Sequence, residues 1–107
     1  MPNYGAVIDK LLAKSEAGGV PWKPTAEDDT FVAAIEGEFT FEIRHTVGGA
    51  FEFQTKDKDG RRIVEMTAEN HWDEFFEKMR RLYDAARVKA LDVDKKLTDA
   101  EALLDRF

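Results

Sequence analysis

Three pairs of carboxylates are the residues whose types best suit acid–base chemistry: Asp28-Asp29, Asp73-Glu74 and Asp92 with Asp94. Hydrolysis of a glycosidic bond uses two carboxyl groups that converge across a cleft, one of them shielded from water. Spacing along the chain does not establish such convergence. A loop, a helix start and a helix cap explain the three pairs more simply, so we predict no catalytic residues.

Metal chemistry is poorly supported by the ligands that the chain offers. Cysteine is absent, and there are only two histidines, His45 and His71. A zinc site needs three or four converging ligands. Glu69, His71 and Asp73 do not form such a cluster on a helix, because residues two apart point in nearly opposite directions. We predict no metal site and no cofactor.

Three large aromatic residues are the candidates for ligand binding: Trp22, Trp72 and Tyr83. They would line a pocket between a sheet and a helix. For Trp22 the favoured interpretation is structural, with the indole pinning its connector onto the core. Beside Tyr83, the small Ala85 and Ala86 allow the close approach of another element, which is the sheet, a third helix or a second copy of the protein.

Length and charge limit the class of protein. The 107 residues fit a single domain, 1–107, and the formal net charge is −6. That charge disfavours nucleic acid and anionic membranes as partners. The first four residues lack the basic segment of a signal peptide, and no apolar run approaches the roughly 20 residues of a membrane span. We expect a cytoplasmic protein.

The first thirty residues are predicted to contain one helix and an irregular connector. Apolar residues fall on one stripe of residues 4–17, and Gly18-Gly19 ends that helix. In the connector, 20–29, we expect Pro21 and Pro24 to exclude regular structure.

Residues 30–67 predict a four-stranded antiparallel meander with one buried face, because large apolar residues alternate with polar ones. A three-residue loop at 47–49 keeps the two faces separate. It pairs Ile43 with Phe53, and Arg44 with Glu52.

The dipeptide Asp59-Gly60 predicts a two-residue turn for the last hairpin. This turn makes three cross-strand pairs: Thr55 with Val64, Phe53 with Met66 and Asp57 with Arg62.

Two helices complete the predicted α+β fold, whose order is α-β-β-β-β-α-α. A stripe of large apolar residues predicts a long helix over 69–91, with Asn70 near its N-terminal cap. We expect this helix to cover the aromatic face of the sheet. A shorter helix follows Asp92. We expect the first and third helices to close the edges or the far side of the domain.

The layout resembles short bacterial proteins of unassigned function, in which a helix leads through a tryptophan-bearing connector into a small meander and a helical end. The residues that carry the likeness are Trp22, 29–31, 82–87 and 90–94. The resemblance implies a bacterial protein of this layout and brings no activity or site residues with it.

The favoured functional hypothesis is a non-enzymatic interaction module that associates with itself as a homodimer or with another protein. An exposed edge strand or an apolar helix face would supply the contact. The alternative is a small-ligand-binding domain with a pocket between sheet and helix. An enzyme with an unrecognised site is the third hypothesis.

Overall fold

A computed structural model of the chain describes residues 4–70 and 72–107. The predictions for the first three residues and for His71 fall outside this part. The described elements are α1 Tyr4–Glu16, β1 Lys23–Pro24, β2 Thr30–Ile35, β3 Phe39–His45, β4 Phe51–Asp57, β5 Arg62–Ala68, α2 Phe76–Ala90 and α3 Val93–Arg106. All strand pairs are antiparallel in the order β1-β2-β3-β4-β5. The predicted α+β class with an antiparallel meander is confirmed.

In the residues that the structure describes the sheet has five strands, so the prediction of four was wrong. The additional strand is β1, whose Lys23 pairs with Val32 and whose Pro24 pairs with Phe31. Proline is tolerated there because an edge strand leaves one side of its backbone unpaired, and the missing N–H costs no ladder bond. The two prolines therefore did not exclude regular structure from the connector.

The β3–β4 hairpin has the predicted register. Ile43 lies opposite Phe53 and Arg44 opposite Glu52, with Arg44 Nη2 2.9 Å from the glutamate carboxylate. The loop of residues 47–49 ends in Gly49 at φ 88, a left-handed conformation that glycine adopts without strain. The alternation of side chains between the two faces and the glycine at the end of the loop together determine the register of this hairpin.

The β4–β5 turn differs from the prediction. The Asp57 N–H donates to Arg61 O at 2.9 Å, so the loop holds three residues, 58–60, rather than two. The cause is the Asp57 carboxylate, which accepts 2.9 Å hydrogen bonds from the Asp59 and Arg61 backbone N–H groups.

A register shift in β5 compensates for the longer loop. Lys56 pairs with Arg62, whereas Thr55 pairs with Val64, so Ile63 is the extra residue of a bulge. The predicted pairing of Asp57 with Arg62 was therefore wrong. The deeper predicted pairs, Thr55 with Val64 and Phe53 with Met66, are confirmed.

The second helix begins at Phe76 rather than at residue 69. Two side chains accept hydrogen bonds from backbone N–H groups that precede the helix. Asn70 Oδ1 accepts one from the Trp72 N–H, and Asp73 Oδ1 accepts one from the Phe75 N–H, each at 2.9 Å. Such local bonds offer the backbone an alternative to the helix. Asn70 is thus a turn residue and not the cap that we predicted.

The core lies between the aromatic face of the sheet and α2, as predicted. Its most deeply buried side chains include Ile43, Phe53, Met79 and Leu82, each with 0% exposure. The helix α1 packs beside α2 and contributes Ile8, also at 0%. Across that helix pair Lys78 Nζ lies 2.7 Å from the Asp9 carboxylate.

The third helix does not close the domain as we expected. Asp92 adopts a left-handed conformation, φ 52 and ψ 49, that ends α2 and redirects the chain, and none of the side chains of α3 is buried. Leu97, Leu104 and Phe107 are 63%, 72% and 104% exposed. The apolar face that the sequence predicts is present, but within residues 4–70 and 72–107 no core covers it.

Candidate functional site

The three aromatic candidates occupy three separate environments. Trp22 is buried, and its Nε1–H donates a 2.9 Å hydrogen bond to Ser15 Oγ at the end of α1. These contacts support the structural interpretation, in which the indole pins the connector. Trp72 precedes α2 and is 85% exposed, although the sequence pattern places it on the apolar stripe of the predicted 69–91 helix. Tyr83 lies on the buried side of α2.

Tyr83 joins α2 to the turn before β2. Its hydroxyl donates a 2.8 Å hydrogen bond to Asp29 Oδ1, and its ring lies 5.6 Å from those of Phe31 and Phe51. Burial, with a further contribution from the Asp29 carboxylate, raises the pKa of Tyr83 to about 12. The hydroxyl is therefore protonated at neutral pH, and it acts as a hydrogen-bond donor rather than as a base.

The raised pKa predicts a loss of stability at alkaline pH. A tyrosine in the unfolded chain titrates near 10, whereas the pKa of Tyr83 in the folded state is about 12. The folded state holds this proton more tightly. Its contribution to folding is thus fully present below about pH 10 and is lost as the pH rises towards 12.

Denaturant titrations of wild type and Tyr83→Phe at several alkaline pH values measure this contribution. At neutral pH we expect the variant to be less stable by about 1 kcal/mol, because the hydrogen bond to Asp29 is lost. The difference should narrow as the pH rises above about 10. A difference that stays constant would contradict the assignment.

One member of each carboxylate pair has a defined position in the fold. The Asp29 carboxylate accepts the hydrogen bond from the Tyr83 hydroxyl. The Asp73 carboxylate accepts a hydrogen bond from the backbone N–H of Phe75, just before α2. Asp92 is the residue at which α2 gives way to α3. Among the residues that the structure describes, no group of three or more His, Cys, Asp or Glu side chains is placed to hold a metal ion.

Within the described residues, Trp22, Trp72 and Tyr83 line neither of two prominent surface grooves. The larger groove, about 620 Å³, lies between the end of α1, the outer side of α2 and the start of α3. Its arginines face carboxylates: Arg80 pairs with Glu77 and with Asp84, and Arg81 pairs with Glu16. These ion pairs offset the charges of the two arginines.

The second groove, about 490 Å³, lies where the chain before β2 meets the end of α2. Asp28, Asp29, Arg87 and Leu91 are among its lining residues. Grooves of this size with a few polar groups can hold a small molecule. The ligand-binding alternative stays a prediction.

The most distinctive surface is the apolar face of α3, which we call the α3 stripe. Its members repeat at steps of four and three residues: Val93, Leu97, Ala100 and Leu104 on the helix, and Phe107, which caps the end of the helix. Leu103, 58% exposed, lies next to it. Contiguous exposed apolar surface of this kind marks a contact site on a folded protein.

No protein-family model, curated protein or solved structure compared with this chain matches it. In the described part of the chain, the helices are also too short or too polar to traverse a lipid bilayer. The surface of the protein itself is therefore the basis for a functional proposal.

Proposed function

We propose that this protein is a non-enzymatic interaction module, which associates with a second copy of itself through the α3 stripe. The observation that carries the proposal is an amphipathic helix whose apolar side chains are exposed, with Leu97 at 63% and Leu104 at 72%, followed at the helix cap by Phe107 at 104%. A helix of 14 residues is marginal in water on its own. Contact with a partner would stabilise it.

The sheet edges are less suited to this role than the helix. At one edge Pro24 has no N–H to donate, and β1 is only two residues long. At the other edge the bulge at Ile63 interrupts β5, and the exposed Arg62 and Glu65 flank it. Short strands, prolines, bulges and charges are the features that prevent edge-to-edge pairing.

The expected affinity is modest. Burying a leucine or phenylalanine contributes roughly 1.5–3 kcal/mol, and each copy offers three such side chains that are more than half exposed, besides Leu103. Association costs roughly 4 to 15 kcal/mol in lost motion, and ordering α3 and its side chains adds to that cost. We therefore expect a net free energy of about 4 to 8 kcal/mol, which corresponds to a dissociation constant of about 1 mM to 1 μM.

Sedimentation velocity over about 1 μM to 1 mM tests the proposal, because that range spans the expected constant. We expect the wild-type mass to rise from monomer to dimer with concentration. The double variant Leu97→Asp/Leu104→Asp should remain monomeric, since each new carboxylate would have to be desolvated in the contact.

The matched control is Ile63→Asp, which places the same charge on an exposed apolar residue of the sheet edge. We expect it to associate like wild type. A monomeric wild type at every concentration would overturn the proposal, and so would loss of the dimer in Ile63→Asp alone. Circular dichroism should show that all three proteins keep their folded domain.

The proposal places the module in the cytoplasm, with which its cysteine-free composition is compatible. Its net charge of −6 favours a protein partner over nucleic acid.

A further inference from the structure

We infer that the two α3 helices pair in parallel and in register, with Lys96 of each copy facing Glu101 of the other. This inference rests on the proposed function and adds to it the geometry of the partner. Two observations carry it: the step pattern of the α3 stripe and the charges on its two flanks.

The steps of the α3 stripe are those of a two-stranded coiled coil. From Val93 to Phe107 the apolar residues are separated by four, three, four and three positions, which is the alternation of the core positions a and d in a heptad repeat. Leu97 and Leu104 take position a, whereas Val93, Ala100 and Phe107 take position d. A stripe of this width fits one partner helix.

The exposed area is sufficient for such a contact. Phe107, fully exposed, presents on the order of 200 Å². With the exposed leucines the stripe reaches roughly 500 Å² in each copy, so a pair would bury about 1,000 Å², the lower limit for a specific interface. The small Ala100 at the centre allows the two helices to approach closely.

Charges flank the stripe asymmetrically. Asp94 and Glu101 lie on one side, at position e, and Lys96 lies on the other, at position g. All three are exposed, and the ion pairs found among residues 4–70 and 72–107 involve neither Lys96 nor Glu101. These side chains are available to a partner.

The asymmetry distinguishes the two orientations of a helix pair. In a parallel pair each g residue faces the e residue five positions further along the other chain, so Lys96 meets Glu101 twice. In an antiparallel pair each flank meets itself, and the acidic flanks would repel each other. The charges therefore favour the parallel arrangement, in which both domains lie at the same end of the helix pair.

Glu101→Lys tests the orientation, because the two arrangements predict opposite signs. In the parallel pair the introduced ammonium group would face Lys96, and we expect the dissociation constant to rise roughly fivefold at low salt. In an antiparallel pair the same change would place a positive charge near Asp94 of the other copy and tighten association. The exchanged variant Lys96→Glu/Glu101→Lys should return to the wild-type constant.

Cysteine cross-linking gives a second readout, and the chain supplies a background free of cysteine. Ala100→Cys should oxidise to a disulfide-linked dimer, because equivalent d positions face each other in a parallel pair within the range of a disulfide. Asp99→Cys, which points away from the contact, is the control and should not cross-link at the same rate.

The outcomes separate the two proposals. If wild type remains monomeric, both the proposed function and this inference are overturned. If wild type forms a dimer that Glu101→Lys strengthens, or that Ala100→Cys does not link, only the parallel arrangement is overturned. A dimer weakened by Glu101→Lys, restored by the exchange and linked through residue 100 supports it.

Discussion

Phe53→Ala is expected to lower the free energy of unfolding by about 4 kcal/mol. Phe53 has 0% exposure in the central part of the sheet, and its ring stacks on Phe41 at a centroid distance of 6.3 Å. Removing the ring forfeits its burial and leaves a cavity that strands on both sides cannot fill. Urea denaturation followed by circular dichroism in the β-sheet region measures the loss.

The matched control is Phe39→Ala in the neighbouring strand. Phe39 lies on the same face of the sheet as Phe53, but it is the first residue of β3 and is 43% exposed. We expect a loss of about 1 kcal/mol, because no enclosed cavity forms there. Similar losses for the two variants would mean that the core is not centred on β4.

Leu82→Ala should lower the free energy of unfolding by about 3 kcal/mol, whereas Leu104→Ala should change it by less than about 0.5 kcal/mol. Both leucines lie on the apolar stripe of a helix. Leu82, on the side of α2 that faces the core, has 0% exposure, whereas Leu104 on α3 is 72% exposed. The comparison isolates the difference between the two helices, since the substitution is the same.

Dilute protein is needed for this comparison, because association would couple the stability of α3 to the concentration of the dimer. Fluorescence of the buried Trp22 is a suitable probe of the domain, in a Trp72→Phe background that removes the exposed indole. A large loss in dilute Leu104→Ala would show that α3 docks on the domain, contrary to the structure.

The strand registers could be predicted because two independent constraints agreed. Side chains alternate strictly between the faces, so a single misplaced residue in the 47–49 loop would put Ile43 opposite Gln54 and mix apolar with polar residues. The pairing of Ile43 with Phe53 keeps apolar residues on one face, and it also places glycine at position 49, where the loop needs a left-handed residue. Periodicity of this kind depends only on residues that are near each other in the chain.

Side-chain hydrogen bonds to the backbone were not predictable from periodicity. The Asp57 carboxylate lengthens the last turn by one residue, and Asn70 and Asp73 delay the start of α2. Each residue type was compatible with the predicted turn or cap as well. The choice depends on local geometry that a pattern of polar and apolar residues does not contain.

The candidate site shows the same limit at longer range. The sequence predicts that α3 has an apolar face, but an amphipathic pattern does not say which surface covers that face. Likewise Tyr83 and Asp29 lie 54 positions apart and carry no signal of their hydrogen bond. The charges of Lys96 and Glu101 indicate the orientation of a partner helix only once α3 is known to be exposed.

Because the chain turns at the left-handed residue at position 92, we expect it to unfold as two units of unequal stability. The helix beyond it has no buried side chain, so in dilute solution it can melt without disturbing the sheet. Helical ellipticity would then decline before the indole of Trp22 reports any change, and the two transitions would not coincide. At high concentration dimerisation would stabilise that helix and bring the two transitions closer together.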